Sequence, residues 1–203
     1  MVQVKKSLRQ LEFALALVNV PIRNAHTMPP LVHRAVSFAA RAHRHQLRKD
    51  GATPYVAHPV RVALTLLTIF GIDDEQTLAA AVLHDTIEDT TTDFDDLAAE
   101  FGPEVARYVA ALTKDARLPE DERERVFFEV LDRSPWQVRA IKMADSYDNL
   151  LDGGGKVSPE KTLAKAKKAL KLGEGREASL LKGAQSLSQL IEATEESRPG
   201  GCA

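Results

Sequence analysis

A chain of 203 residues, 44% hydrophobic and 28% charged, can enclose one substantial core and is ordinary for a globular protein. Its 27 basic and 29 acidic residues leave a formal charge of −2, which argues against nucleic acid or an anionic membrane as a globally attracted partner. Cys202 is the only cysteine, so no internal disulfide and no cysteine-based metal site can form.

The first elements surround the apolar stretch FALALVNV, which is too short to span a membrane and is followed closely by Pro21. Residues 1–30 are expected to form a helical extension and linker, residues 31–196 the main domain, and residues 197–203 a disordered tail. Lacking a spanning segment or a cleavage signal, the chain is expected to be cytoplasmic. Apolar residues recur at spacings of three and four through most of the sequence and alternating runs are nearly absent, so the fold is expected to be all-α, a single helical bundle. LVHRAVSFAARAHRHQ reads as its first helix and stops before the turn-rich RKDGATPYVAHP. Pro59 fits the first turn of the next helix, VRVALTLLTIF, and Gly71 supplies its end. His58, immediately before Pro59, is expected in extended backbone.

Asp73 and Gln76 are spaced as a capping box for a helix through TLAAAVLHDTIEDT. That helix is apolar on nearly every side, which places it centrally. FDDLAAEF ends at Gly102, Pro103 opens PEVARYVAALTK, and PEDERERVFFEVLDR carries acidic residues at its positive end. In SPWQVRAIKMADSYDNLLD, Ser134 is expected as the cap with Pro135 at the first helical position. Glycines 153–155 break the chain, and a Lys-rich helix and a last helix near 176–195 follow.

Within an unbroken helix, Glu88 lies one turn from His84 and Asp89 one turn from Asp85. The apolar stripe Leu78, Ala81, Val82 runs into Asp85, Glu88 and Asp89, so these carboxylates are expected to point inward. On the later helix, Val138 and Ile141 lead in the same way to Asp145 and Asn149. Unpaired buried charges are costly, so the cluster calls for a compensating cation. With His58 added, the set mixes imidazole and carboxylate in a manner suited to manganese, iron or zinc. Any one of these residues alone is more simply read as a core group with a hydrogen-bond partner; the combination is what points to metal. His33, His43 and His45 lack partners at ligand spacing and read as packing or surface residues, as does Trp136.

Taken together, RKDGATPYVAHP, LHDTIEDT, FGPEVARYVAALTK and IKMADSYDNL resemble, in order over roughly residues 31–170, the hydrolase domain of RelA/SpoT homologues within the HD phosphohydrolase superfamily. The resemblance implies a manganese-dependent enzyme that removes pyrophosphate from the 3′ position of guanosine tetra- or pentaphosphate. With 203 residues leaving no room for the synthetase and regulatory domains of the long enzymes, the chain is expected to be of the small alarmone hydrolase type. By the same resemblance His58, His84, Asp85 and Asp145 are metal ligands and Glu88 and Asp89 handle water and protons. Arg48 and Lys49 face the nucleotide, and Asn149 contacts it. The partner is thus a small nucleotide, and a homo-oligomer is left open. Rival readings keep the metal site but change the substrate to adenosine analogues or NADPH, or make the chain a non-catalytic alarmone-binding protein.

The chain also departs from the family. Where the family often continues the metal Asp as DRLHN followed by Arg, this sequence has Ser146, Tyr147 and Asp148, then Leu150 and Leu151. A basic group near the phosphates is missing there, and Lys161, Lys165, Lys167, Lys168 and Lys171 are candidates to replace it. No aromatic residue follows Asp148 where an animal branch has a substrate-facing tyrosine, so guanine against adenine stays open.

Overall fold

The computed structural model describes residues 30–152, 158–173 and 177–197. In chain order it contains α1 (Leu31–Ala42), α2 (Ala57–Leu64) running into a π-helical segment (Thr65–Phe70), α3 (Glu75–Leu83) and α4 (Thr86–Asp89). These are followed by α5 (Phe94–Phe101), α6 (Pro103–Leu112), α7 (Glu120–Arg133), α8 (Trp136–Leu151), α9 (Pro159–Lys171) and α10 (Ala178–Glu196). Among the described residues there is no strand, only an isolated bridge between Leu47 and Pro54, so the all-α expectation holds. No described helix is long and apolar enough to cross a membrane. Most of the expected N-terminal extension, the glycine break and the expected tail lie outside the described residues.

The expectation of a central helix is met by α3, which is buried at every residue from Thr77 to Leu83. Three consecutive alanines, Ala79 to Ala81, leave room for neighbours on all sides, and α3 packs against α1, α2, α6 and α8. α8 is the second central helix, with Val138, Ala140, Ile141, Met143 and Ala144 buried against α2, α3, α6, α9 and α10. Because α2, α3 and α8 touch pairwise, residues at their facing ends converge.

Several boundaries differ from the sequence expectation for local reasons. The cap of α3 is Asp74, whose side chain accepts from Thr77 N at 2.8 Å, one residue later than the expected Asp73. Ser134 does not cap α8: it ends α7, its hydroxyl donates to Val130 O at 2.8 Å, and Pro135 stands at the N-cap. α5 carries a reciprocal capping box between Asp93 and Asp96, hidden in the sequence because its third residue is Asp rather than Glu. His58 is helical, not extended: α2 starts at Ala57, so Pro59 falls in the first turn, where its missing N–H breaks no helical bond. Gly71 does end the π-helical segment, in the left-handed region at φ 77°.

The expected unbroken helix through LHDTIEDT divides into α3 and α4. His84 Nδ1 donates to Ala81 O at 2.8 Å, and Thr86 Oγ1 donates to Leu83 O at 2.7 Å. Both carbonyls would otherwise accept from the backbone N–H four residues on, so these side chains compete with the helical ladder and a turn forms at His84 and Asp85. Helical bonding resumes with Asp89 N donating to Asp85 O at 2.9 Å.

Candidate metal centre

His58 comes from the first turn of α2, His84 from the end of α3 and Asp145 from the middle of α8. Donor atoms of these three buried residues all lie within 4.8 Å of one another. His58 Nε2 is 3.2 Å from Asp145 Oδ1 and 3.7 Å from Asp85 Oδ2, and His84 Nε2 is 3.1 Å from Asp85 Oδ1. Asp85 therefore adjoins both imidazoles from the turn that follows α3. The other ring nitrogens are already committed: His84 Nδ1 to Ala81 O, and His58 Nδ1 to Asp148 Oδ2 at 2.7 Å. A carboxylate and a carbonyl only accept, so each Nδ1 carries its hydrogen and each Nε2 is turned to the centre. His84 Nε2 is buried with no hydrogen-bond partner among the described residues, a nitrogen that a cation at this point would satisfy. The donor set of two imidazoles and carboxylates fits a borderline divalent metal.

Electrostatics fit the same reading. Burial works against protonation of His58, but hydrogen bonds to Asp145 and Asp148, with the charge of Asp85, outweigh it and push the ring up to about 9. His84 moves in the same direction, burial being outweighed by Asp85 and Asp145. Asp145 is held well below the usual carboxylate range, against burial, by Lys142, His58 and His84. Lys142 Nζ donates to Asp145 Oδ2 at 2.6 Å, and Asn149 Nδ2 donates to Asp145 Oδ1 at 2.6 Å.

Glu88 and Asp89 do not point into the core. Their side chains open to solvent beside the centre, because the turn at His84 and Asp85 ends the register that aligned them with the stripe of α3. Tyr55 Oη lies 2.7 Å from Asp85 Oδ2 and 3.1 Å from Asp89 Oδ2, sharing one proton between them. Burial, then the charge of Asp85, raises the Asp89 carboxyl above its ordinary value. Glu88 instead accepts from Lys114 N at 3.1 Å and from Lys114 Nζ at 3.3 Å.

Arg48 is buried, with Nη2 donating to Asp152 Oδ2 at 2.6 Å and to Asn149 Oδ1 at 3.4 Å. Lys49 is exposed, and burial of its stem with the charges of Arg48 and Lys165 lowers its ammonium. Of the α9 lysines, Lys165 lines both a cavity of about 80 Å³ containing Asp145 and Asn149 and a cleft of about 180 Å³ containing Glu88, Lys114 and Lys142. Lys167 and Lys168 are paired with Glu195 and Glu124. A wider groove of about 550 Å³ between α7 and α9 is lined by Lys168 and Lys171 but by none of the candidate ligands and none of the acids beside them. His43 is buried against Tyr55 at 4.8 Å between ring centroids and bonds Gln46, while His33 and His45 are exposed.

Sequence reading missed Tyr55, Arg61, Lys142 and Asp148. Lys142 and Asp148 were within reach of it, since each is three residues from Asp145 on the same helix. Tyr55 and Arg61 make contacts spanning 30 or more positions, which no local spacing encodes.

Comparison with known proteins follows the same lines. A family model described as "HD domain" matches residues 35–171. A human protein named guanosine-3′,5′-bis(diphosphate) 3′-pyrophosphohydrolase MESH1 is 45% identical over 119 residues, covering 58% of this chain and 66% of its own length, just under two thirds. A bacterial protein from Aquifex aeolicus, named guanosine-3′,5′-bis(diphosphate) 3′-pyrophosphohydrolase, is 37% identical over 123 residues, or 17% of its length. A solved structure described as "A metazoan ortholog of SpoT hydrolyzes ppGpp and plays a role in starvation responses" superposes with TM-score 0.70 at 32% identity, covering 81% of this chain and 97% of that one.

Proposed function

Because this chain belongs to the HD domain family, we propose that it is a divalent-metal pyrophosphohydrolase that cleaves the 3′ pyrophosphate of guanosine 3′,5′-bis(diphosphate), with manganese as its cation. The observation that carries this reading is the convergence of His58, His84 and Asp145 within 4.8 Å, with Asp85 beside both rings. These four residues would hold the cation. When bound, it supplies a lowered pKa for water and neutralisation of phosphoryl charge.

The reaction adds water across the bond between the ribose 3′ oxygen and phosphorus, giving guanosine 5′-diphosphate and pyrophosphate. Asp89 accepts the proton of the attacking water: its raised carboxyl suits a base, and Tyr55 holds it toward Asp85. Glu88, fixed by Lys114, orients the water from the other side. Lys142 and Lys165, which line the cavity beside Asp145, bind the phosphate oxygens. Lys165 thereby supplies the charge missing from the segment after the metal Asp.

Purified protein loaded with Mn2+ should release pyrophosphate from guanosine 3′,5′-bis(diphosphate), and Glu88→Gln and Asp89→Asn should each lower kcat by about 100-fold or more. Adenine 3′-pyrophosphates and NADPH run in parallel define the base and phosphate preference. Survival of every 3′-pyrophosphate nucleotide in the presence of Mn2+ defeats the reading. Lys165→Ala should raise KM about tenfold with a smaller change in kcat, as expected for the loss of one charged phosphate contact. An unchanged KM would remove Lys165 from the phosphate site.

Metal uptake should also expel protons. His58 protonates near 9 in the metal-free fold against 6.5 in the unfolded chain, so its stabilising effect is complete below pH 6.5 and is lost as pH rises through about 9. Ligation needs the neutral rings, so Mn2+ affinity should climb over this interval while the metal-free melting temperature falls. Calorimetric titrations at pH 7 in buffers of different ionisation enthalpy check this: heats that do not depend on the buffer contradict it.

A further inference from the structure

Asp145, Asp148, Asn149 and Asp152 lie on one face of α8 and its last turn, at spacings of three and four. Asp145 belongs to the ligand set and Asp148 does not, yet Asp148 is only 3% exposed and meets His58 Nδ1 at 2.7 Å. Arg61, one turn after His58 on α2, clamps the same carboxylate with both arms: Nε donates to Oδ1 at 2.7 Å and Nη2 to Oδ2 at 2.9 Å. Arg61 Nη2 also reaches Asp152 Oδ1 at 3.2 Å, and Asp152 Oδ2 accepts from Arg48 at 2.6 Å. Arg48 bonds Asn149, and Asn149 bonds Asp145. An unbroken series of polar contacts thus runs from one candidate ligand, His58, to another, Asp145.

We propose that Asp148, clamped by Arg61, is the positioning residue that orients His58 toward the cation and sets how tightly the centre binds it. The inference rests on the metal site proposed above and deepens it. A neutral imidazole has two tautomers and a freely rotating ring, and only one arrangement presents Nε2 to Asp145 and Asp85. The ionised Asp148 carboxylate accepts from Nδ1–H alone, which selects that tautomer, and hydrogen bonding to a carboxylate makes the ring a stronger donor to metal. The two-armed guanidinium fixes the plane of the carboxylate, which a single lysine ammonium could not do. Asp148 is also one of the residues by which the chain departs from the DRLHN pattern, and the clamp gives that departure a role.

The test titrates the full-length, metal-free protein with Mn2+, following the spin-resonance signal of the free ion, with no nucleotide present. Asp148→Ala should weaken Mn2+ binding by roughly 10- to 100-fold. Asp148→Asn, which keeps an acceptor oxygen for Nδ1–H, should recover most of that loss. Arg61→Ala should weaken binding less than Asp148→Ala, and the double variant should be no weaker than Asp148→Ala alone, because Arg61 acts through Asp148. Should Asp148→Ala fail to fold, Arg61→Ala takes its place in the comparison with Asp148→Asn. Parent-like affinity in the alanine variant overturns the proposal, and so do equal losses in the Asn and Ala variants. A parent that binds no Mn2+ overturns both this and the metal site, whereas a parent that binds Mn2+ but releases no pyrophosphate defeats only the assigned reaction.

Discussion

Asp145→Asn should strip the centre of its cation and abolish hydrolysis together, while leaving a folded protein. Asparagine matches the shape of the aspartate but removes the charge that His58, His84 and Lys142 all face. Loss of an outer partner of a ligand costs roughly 10- to 100-fold in affinity or activity, so loss of a ligand's charge should cost more than about 100-fold in Mn2+ affinity and in kcat/KM. The fold suffers less. Lys142 Nζ keeps a neutral acceptor in place of a charged one at 2.6 Å, for a stability loss of about 1–3 kcal/mol. Mn2+ titration, pyrophosphate release and calorimetric melting read the three quantities separately. Undiminished Mn2+ binding by Asp145→Asn would remove Asp145 from the ligand set and with it the geometry on which the reaction is built.

Leu83→Ala should carry the largest stability loss of any single change near the centre, about 3–5 kcal/mol. Leu83 is fully buried at the end of α3, a helix enclosed by α1, α2, α6 and α8, so the surroundings on all sides are held by other contacts and cannot collapse into the void. For a protein of this size that corresponds to a fall of roughly 6–20 °C in melting temperature. Leu83 O also accepts from Thr86 Oγ1 at 2.7 Å and Leu83 immediately precedes His84, so the cavity should loosen the turn and weaken metal binding as well. A melting temperature within about 2 °C of the parent would contradict the enclosed position of α3.

The sequence carried the helical architecture and the central place of α3 well, because both follow from periodicity: seven consecutive buried residues from Thr77 to Leu83 leave no polar face to read otherwise. Of the candidate ligands, Asp85 and Asp145 stand at positions the apolar pattern assigns to the interior, whereas His58, before a proline in a turn-rich stretch, and His84 joined them through the family resemblance rather than through periodicity. Periodicity misplaced Glu88 and Asp89, since it assumes a continuous helix and is blind to His84 Nδ1 taking the Ala81 carbonyl. It also passed over the contacts between elements. Tyr55 bridging Asp85 and Asp89, and Arg61 clamping Asp148, depend on how the α1–α2 loop, α2 and α8 are brought together, which is a tertiary outcome.

The turn at His84 and Asp85 has a mechanical corollary. It mounts one imidazole on a rod enclosed by four other helices, while the two acidic groups ride on a four-residue coil in contact with solvent. The acids have ties that do not pass through the rod: Gln46 Nε2 donates to Asp89 O at 2.6 Å, Tyr55 Oη lies 3.1 Å from Asp89 Oδ2, and Lys114 N donates to Glu88 at 3.1 Å. The centre therefore joins two separately anchored halves, and the turn between them is a single pair of adjoining residues.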